Sequence, residues 1–580
     1  MAGLSNGYSA GNAACLTFQG VLPYSKLLTI SPFIFLVDMQ ESRALIASAA
    51  DPEKNQGALN LLVCLLISSH MAIAIYGAIN VPIHWDEGWN LCVARMWHDY
   101  GHYGCKIDGA FTDPRLATGI IAVVLTKVGF DLFGVDYLAG RFLFLIHLFG
   151  FLIAFFFLVK LLFSKRIATI ALFIPLLFPD YRVSPALLTT QAHAEVPMCL
   201  YITLGYLSAL GMLKSRNLKK ALPFCALAMV FFGLALYTKK LAEPFLLPAI
   251  ASIPVALFFL RQYKSAALSL ALLVGTYLLL DYPVSSLAPR LVTGPFEDES
   301  GTEGLASLLG INTDFKIRKI VLSYVLENYW LSLLGIILFP FLLLSNWSSG
   351  PKASETPPKP ELIITLSLYL LVLLWTGWFM LLSIHFSRYF AAAATFGSLF
   401  SALAISFLSS WIMGTKNPKT FFRAQGELIK KAALCTVGTL LVIQLIFSMK
   451  YAIWYTNQDR QYNSELAALA AYLNSKGDIL VETYDSQIFH LLDVRFHYPP
   501  DQINVAHIAA ALGRDEYKAK YDYEQKQPDY ILVGEWSNEL LKPFTKMPDN
   551  QNYAAVKRSN NFTLYKRKIS RIQRGPAEKR

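Results

Sequence analysis

The stretch Val81-Pro82-Ile83-His84-Trp85-Asp86-Glu87-Gly88 directly follows Leu59–Val81, an apolar segment that is long enough to cross a bilayer. It places two carboxylates, Asp86 and Glu87, at a membrane surface. Acidic side chains at such a depth are costly when unpaired, so in a membrane protein they indicate a functional site. The alternative is that both carboxylates only end the helix and face water.

The composition places this chain in a bilayer. It has 580 residues, of which 54% are hydrophobic and only 16% are charged, whereas soluble domains carry roughly 25% charged residues. The net charge of +11 could suggest nucleic-acid binding, but many Lys and Arg residues fall in short gaps between apolar runs, as membrane topology requires. The seven cysteines show neither a CxxC motif nor a Cys/His metal spacing, so no metal site is predicted.

Eleven apolar segments reach spanning or near-spanning length, which predicts an all-α polytopic membrane protein with about eleven transmembrane helices. They are Leu59–Val81, Arg141–Phe163, Ile167–Phe178, Pro197–Leu213, Leu222–Tyr237, Leu241–Leu260, Ala266–Leu280, Tyr329–Leu344, Leu362–Ile384, Ala391–Ile412 and Ala432–Tyr451. A further apolar stretch, Thr118–Phe133, is interpreted as re-entrant or interfacial. Counting it as a span would reverse every later loop and would break the rule that basic loops face the cytoplasm.

The basic loops predict the orientation of the helices. With the amino-terminal segment 1–57 in the cytoplasm or at the interface, the Lys- and Arg-rich turns of the membrane domain, residues 58–453, fall on the cytoplasmic side. The same choice puts Asp86-Glu87, the loop from Asp180 to Glu195, Lys239-Lys240 and the chain after Trp454 outside. The carboxylates and the carboxyl-terminal region therefore share one compartment.

The carboxyl-terminal region predicts a small exoplasmic α/β domain, residues 454–566, followed by a basic tail, residues 567–580. The tail is expected to be disordered or to lie on anionic headgroups. The predicted elements of the domain are two helices and two buried strands: Ser464–Leu473, Val505–Leu512, Ile479–Tyr484 and Tyr530–Gly534.

The first outer loop contains two further features. Its Trp89–Tyr100 part is predicted to be a helix lying on the membrane. Cys92 and Cys105 are its only cysteines, and a disulfide bond between them is possible on an oxidising side of a membrane. Their spacing in the sequence does not establish the distance that such a bond needs.

Charged residues of opposite sign converge on the predicted outer face. The predicted catalytic residues are the carboxylates Asp86, Glu87 and Glu195, and the residues predicted to bind a donor phosphate are Arg115, Lys239, Lys240, Arg388 and Tyr389. Transfer from a phosphate-linked donor requires this combination, because cations neutralise a leaving phosphate and a carboxylate accepts the proton of the attacking group. Each residue alone also has a structural explanation, such as a snorkelling lysine or an interfacial anchor.

The order of these residues resembles the GT-C membrane glycosyltransferases, and more narrowly their protein O-mannosyltransferase and aminoarabinose lipid A transferase branch. The resemblance covers approximately Leu59 to Trp454. It rests on Asp86-Glu87, Asp113-Pro114-Arg115-Leu116, Leu132-Phe133-Gly134-Val135, Leu138-Ala139-Gly140-Arg141, Leu188–Glu195, Tyr237-Thr238-Lys239-Lys240 and Arg388-Tyr389-Phe390.

The resemblance implies an inverting transferase with a polyprenyl-phosphate sugar as donor. Asp86 matches the first-loop acid, the general base of the family, with Glu87 as its neighbour. Glu195 stands where the family usually has an aspartate. Arg115 lies near the position of a donor-phosphate cation, and Lys239 and Arg388 match later basic positions. No cofactor and no metal are expected.

Other functions compete with this one. The same charges could line the path of a lipid-linked sugar transporter or flippase, although neither internal repeats nor helices broken at the midplane are evident. A lipid-linked oligosaccharide mannosyltransferase would share the acid with a different acceptor, and a binding scaffold would leave the charges unexplained. The expected location is a bacterial inner membrane with the site facing outside, or the endoplasmic reticulum of a eukaryote.

Overall fold

The computed structural model describes most of the chain from residue 56 onward. The described residues are 56–112, 114, 118–180, 182–215, 217–286, 315–347, 359–383, 386–412, 423–457, 461–498, 526–534 and 552–568. Three predicted segments lie outside these ranges: residues 1–57 apart from the last two, the helix Val505–Leu512, and the tail 567–580 apart from its first two residues. Arg567, predicted as the first residue of the tail, is the last residue of a strand.

Helices make up the larger part of the described chain. Their bounds are α1 Gln56–Asn80, α2 Trp85–Tyr100, α3 Ile120–Phe133, α4 Tyr137–Leu162, α5 Lys165–Phe173, α6 Pro185–Leu188, α7 Glu195–Lys214, α8 Leu218–Thr238, α9 Glu243–Phe259, α10 Tyr263–Ser286, α11 Phe315–Trp347, α12 Pro360–Leu381, α13 Ala391–Ile412, α14 Arg423–Thr456 and α15 Tyr462–Asn474. Short 3₁₀ turns cover Ile174–Leu177, Lys240–Ala242, Ser387–Phe390 and Ser486–Leu491.

Ten of the eleven predicted apolar segments coincide with long helices, namely α1, α4 and α7 to α14. The one remaining segment, Ile167–Phe178, is divided into the nine-residue helix α5 and a 3₁₀ turn that contains Pro175. The α-helix is interrupted there because proline lacks the N–H that would continue it. Among the described residues, eight helices are long and apolar enough to cross a membrane. The predicted count of eleven is therefore not confirmed, whereas the polytopic architecture is.

Helix α3 is the stretch that the sequence assigned to a re-entrant or interfacial position. Its 14 residues make a helix of roughly 21 Å at 1.5 Å per residue, which is shorter than the roughly 30 Å hydrocarbon core. The helix packs closely on its neighbours: a Cβ on Gly129 would lie 2.1 Å from the carbonyl oxygen of Ala139 in α4. A straight crossing by α3 is excluded by its length.

A mixed sheet forms the carboxyl-terminal domain in the described residues. Its strands are β3 Leu480–Thr483, β4 Arg495–His497, β5 Tyr530–Val533, β6 Tyr553–Arg558 and β7 Thr563–Arg567, in the order β4-β3-β5-β7-β6. Strand β3 is parallel to β4 and β5, and β7 is antiparallel to β5 and β6. The predicted strands 479–484 and 530–534 are confirmed as β3 and β5, and the predicted helix 464–473 is confirmed as α15.

Helix α2 lies between the membrane helices and this sheet. Trp89 packs edge-on against Phe489 and Tyr498, with ring centroids 5.1 and 4.9 Å away. Trp85 stacks on Tyr484, and its indole N–H donates to the Tyr484 carbonyl at 3.0 Å. The sequence predicted that this helix lies on the membrane surface, whereas Trp89 is buried in a hydrophobic core shared with the carboxyl-terminal domain, and Trp85 and Trp97 pack against that core.

A small hairpin completes the first loop. Its strands, β1 Lys106–Ile107 and β2 Ala110–Phe111, pair antiparallel, and the N–H of Asp108 at its tip donates to the carbonyl of Phe496 in β4 at 2.8 Å. The carboxylate of Asp108 also accepts a hydrogen bond from His497 at 2.8 Å. Both ends of the first loop therefore contact the carboxyl-terminal sheet.

The contact between α2 and the turn Ser486–Leu491 requires a glycine. A Cβ on Gly88 would lie 2.5 Å from the carbonyl carbon and oxygen of Ser486, and both atoms belong to the backbone. We expect Gly88→Ala to lower the free energy of unfolding by roughly 1–3 kcal/mol, because the helix must move away from the turn. Thermal unfolding of the purified protein measures this effect.

Gly377→Ala is the matched control for this substitution. Gly377 also lies inside a helix, α12, but a Cβ there would meet no atom within 4 Å. Alanine favours a helix interior over glycine by about 1 kcal/mol, so this variant should unfold at the same or a higher temperature. A Gly88→Ala protein that is as stable as the control would contradict the close packing.

Candidate active site

The first turn of α2 holds the two predicted acids. His84 caps the helix: its ring accepts a hydrogen bond from the N–H of Asp86 at 3.2 Å, and the carboxylate of Glu87 accepts one from the N–H of His84, also at 3.2 Å. This reciprocal arrangement is a capping box, and both carboxylates lie where the helix dipole favours negative charge. The local sequence thus determines where both side chains begin.

Glu87 is fully enclosed by an ion pair with Arg141 of α4. The guanidinium donates from Nε and Nη2 to the two carboxylate oxygens at 2.6 and 2.7 Å, and neither side chain has exposed surface. Arg141 also donates to the carbonyls of Ala78 and Val81 at 2.7 and 3.0 Å, and the N–H of Ala192 donates to Glu87 at 3.1 Å. This network connects α1, α2, α4 and the segment that precedes α7.

Asp86 pairs with a different cation and keeps access to the surroundings. Its carboxylate accepts a hydrogen bond from Arg388, which lies in the 3₁₀ turn before α13. The Asp86 side chain is 23% exposed, whereas that of Glu87 is 0% exposed. Of the two neighbouring acids, Asp86 is therefore the one that an incoming group can reach.

A second carboxylate–cation pair lies beside the first. Glu195, the first residue of α7, accepts a hydrogen bond from Lys239, which lies between α8 and the turn Lys240–Ala242. The ring of Tyr389 joins the two pairs, since the Lys239 ammonium and the Arg388 guanidinium lie 4.9 and 5.6 Å from its centroid. We call Asp86, Glu195, Lys239, Arg388 and Tyr389 the charged cluster.

Two histidines flank the charged cluster. The rings of His84 and His193 meet edge to face with centroids 5.3 Å apart, and Nδ1 of His84 lies 3.6 Å from the Asp86 carboxylate. Burial lowers the pKa of both rings below the ordinary value, although the charge of Asp86 acts in the opposite direction. Both rings are thus neutral near pH 7. Among the residues that the structure describes, no group of three or more His, Cys, Asp or Glu is arranged to hold a metal ion.

The pKa of Asp86 reflects its ion pair. Burial raises this pKa most strongly, but the charge and hydrogen bond of Arg388 together with the neighbouring His84 and His193 more than offset burial and lower the pKa to about 2. Asp86 is therefore ionised over the whole physiological range while Arg388 remains beside it. A carboxylate in this state is a weak base, and its basicity increases when the guanidinium is neutralised by another anion.

The structure brings together five of the eight predicted site residues, namely the members of the charged cluster. Glu87 lies behind Asp86 in its own ion pair. Lys240 is exposed at the start of the 3₁₀ turn, and its predicted contact with a phosphate stays a prediction. Arg115 lies outside the described residues, so its predicted role also stays a prediction.

Arg141 is a residue of the site region for which the sequence predicted no separate role. A signal was present, because Arg141 is the only charged residue between Tyr137 and Val159 of a helix that is otherwise almost wholly apolar. An arginine inside such a segment is costly unless it is paired. The identity of its partner could not be read from spacing, since Glu87 lies 54 residues earlier in the chain.

Comparisons with known proteins identify the fold. No protein-family model and no curated protein matches the chain. The structure of ArnT from Cupriavidus metallidurans bound to undecaprenyl phosphate matches with a TM-score of 0.55 and 14% identity, covering 87% of this chain and 97% of that chain. The Archaeoglobus fulgidus oligosaccharyltransferase, tethered to an acceptor peptide with an NVT sequon, matches with a TM-score of 0.50 and 12% identity, covering 84% and 70%.

Both of these proteins belong to the GT-C superfamily. The chain described here is accordingly a multi-pass membrane protein with the GT-C fold. The resemblance noted in the sequence is thus confirmed at the level of the fold. At 14% and 12% identity, the similarity to these structures establishes the fold alone.

The ion pair between Glu87 and Arg141 should be critical for stability. Replacing Arg141 with Gln leaves a buried carboxylate without its cation, which typically costs roughly 3–5 kcal/mol. We expect the Arg141→Gln protein to unfold at a clearly lower temperature, and the double variant Glu87→Gln/Arg141→Gln to recover part of the loss because no charge remains buried.

Arg495→Gln is the control for the loss of an arginine. Arg495 forms an exposed ion pair with Asp478, and the two side chains are 50% and 81% exposed. Exposed ion pairs contribute roughly 0–1 kcal/mol to the free energy of unfolding. Equal thermal stability of the Arg141→Gln and Arg495→Gln proteins would contradict the structural importance of the buried pair.

Proposed function

We propose that this protein is an inverting glycosyltransferase that moves a monosaccharide from a polyprenyl-phosphate donor to an acceptor at the exoplasmic face of the membrane. One observation carries the proposal: two carboxylates, Asp86 and Glu195, are each held by a cation, and one aromatic ring contacts both cations. This arrangement places an accessible base beside two positive charges at the ends of membrane helices.

The cations are proposed to bind the donor phosphate. In the ion-paired state Arg388 and Lys239 are neutralised by carboxylates, which avoids unpaired charges at membrane depth. The phosphodiester of an entering donor offers both cations one negative charge shared over its acceptor oxygens, and the polyprenyl phosphate gains a second negative charge as it leaves. The guanidinium and the ammonium then stabilise the negative charge that develops on the leaving phosphate.

Donor binding is proposed to activate the base. When Arg388 turns to the phosphate, the pKa of Asp86 rises from about 2, and the carboxylate becomes a better proton acceptor. The acceptor hydroxyl or amine gives its proton to Asp86 while its oxygen or nitrogen attacks the anomeric carbon. The bond from that carbon to the phosphate oxygen breaks, and its electron pair leaves with the polyprenyl phosphate.

Glu87 is proposed to position Asp86 rather than to react. Both acids are predicted from the sequence to be catalytic, but a carboxylate with no exposed surface and two short hydrogen bonds from Arg141 cannot approach an acceptor. Glu195 is proposed to hold Lys239 in place until the donor arrives. Because Tyr389 contacts both cations, it is proposed to keep them at a common depth.

The similar structures support the choice of donor. ArnT from Cupriavidus metallidurans was solved with undecaprenyl phosphate bound, and we extend this ligand class to the present chain. The acceptor is proposed to be a lipid, a glycan or a protein. A bacterial plasma membrane with the site outside, or the endoplasmic reticulum membrane of a eukaryote, fits the distribution of basic loops, and no cofactor is proposed.

Release of polyprenyl phosphate from a panel of synthetic polyprenyl-phosphate sugars tests the proposal. We expect Asp86→Asn to reduce release by a factor of at least about 10² to 10⁴, the usual contribution of a general base, without a change in folding. Asp99→Asn is the matched control, since Asp99 lies in the last turn of the same helix, at the opposite end from Asp86, and pairs with Arg95. Near-normal release by the Asp86→Asn protein would remove Asp86 from its role, and binding without cleavage by the unmodified protein would favour a transporter.

The pH dependence of kcat/KM tests the pairing of Asp86 with Arg388. Because the base must be ionised in the free enzyme and its pKa is about 2, kcat/KM should show no acidic limb near pH 4 to 6 that is due to this group. In Arg388→Gln, Asp86 loses the cation that most strongly opposes the effect of burial, so its pKa rises. We expect an acidic limb to appear and KM for the donor to increase.

The control for this experiment is Arg95→Gln, which removes an arginine from α2 that pairs with Asp99 and Asp493 instead of Asp86. Its pH profile should match that of the unmodified protein. An Arg388→Gln protein whose remaining activity has an unchanged pH profile would show that Asp86 is not the titrating base.

A further inference from the structure

Two cysteines of the first loop lie in direct contact. The sulfur atoms of Cys92, in the second turn of α2, and Cys105, just before β1, are 2.8 Å apart. Neither residue has exposed surface. Because a disulfide bond is about 2.05 Å long, the two sulfurs need to approach by less than about 1 Å to be joined.

The chain between these cysteines is shaped to bring them together. Helix α2 ends at Gly101, whose positive φ of 69° reverses the chain and whose N–H donates to the carbonyl of Trp97 at 3.1 Å. The hairpin then holds Cys105 in place, since the N–H of Thr112 donates to the Cys105 carbonyl at 2.8 Å. The juxtaposition of the sulfurs thus follows from backbone geometry on both sides.

We propose that Cys92 and Cys105 are joined by a disulfide bond in the mature protein. Two thiols lose two protons and two electrons as the sulfur–sulfur bond forms. The electrons pass by thiol–disulfide exchange to the disulfide of an exofacial thiol oxidoreductase, which is reduced to its dithiol. Disulfides of this kind persist on the oxidising side of a membrane, which is the side that the basic loops assign to this loop.

The bond forms before the loop is buried. An enzyme cannot reach sulfurs that lie under the carboxyl-terminal domain, so exchange takes place while the loop is still open and the later strands are not yet docked. Once Trp89 has packed against Phe489 and Tyr498, the disulfide is enclosed. A hydrophilic reductant should then reduce it only after unfolding.

The crosslink connects the helix that carries Asp86 to the hairpin that contacts β4. Asp86 lies in the first turn of α2 and Cys92 lies in the second, while the hairpin tip is bonded to Phe496 and His497 through Asp108. The disulfide therefore limits the movement of α2 relative to the carboxyl-terminal sheet. This consequence is structural and does not depend on the reaction proposed above.

Counting alkylated cysteines tests the inference. The full-length protein is expressed in its membrane and denatured without reductant in the presence of N-ethylmaleimide, which alkylates free thiols. The alkylated cysteines are then counted by mass spectrometry. Of the seven cysteines, five should be alkylated if one disulfide is present. In Cys92→Ser and in Cys105→Ser the partner thiol is released, so the count should rise to six although each variant has lost a cysteine.

Cys64→Ser is the matched control, because Cys64 is exposed on α1. Its count should fall to four, and a peptide linking Cys92 to Cys105 should remain. Seven alkylated cysteines in the unmodified protein, or a linked peptide that joins any other pair, would overturn the inference. Neither measurement uses turnover, so failure of the proposed transferase activity would leave this result unaffected.

Discussion

The buried ion pair between Glu87 and Arg141 is the interaction on which the rest of the structure depends. It fixes the first turn of α2 against the start of α4, and the remaining donors of Arg141 hold the end of α1. Two charges without access to water are tolerable only because nearly every donor and acceptor has a partner. A short helix that is not itself a membrane span thereby has one defined position above the bundle.

Helix α2 also explains why the carboxyl-terminal sheet and the membrane helices form one unit. The hydrophobic core around Trp89 contains side chains of α2, of the hairpin and of the sheet. Gly88 lets the backbone of the turn Ser486–Leu491 approach the helix directly. The turn of α2 that carries Asp86 therefore packs directly on the carboxyl-terminal domain.

The charged cluster shows how a site for an anionic lipid can be stable while it is empty. Asp86 and Glu195 neutralise the two cations that the donor phosphate is proposed to bind. The exchange of one anion for another keeps both cations paired in both states, and it couples donor binding to the basicity of Asp86, because Asp86 then loses its cation. The depressed pKa of Asp86 is thus a property of the resting state.

The amino-acid sequence by itself determined the membrane architecture, because the length and polarity of a segment set whether it can lie in hydrocarbon. The sequence was also sufficient to place Asp86 just after the first membrane helix and to predict β3 and β5 from their apolar residues. The tertiary structure alone decided which charges meet: Arg388 lies 302 residues after Asp86, and Arg141 selects Glu87 rather than its neighbour. Pairing over such separations depends on how the helices pack, and the local periodicity of the sequence does not determine which charges meet.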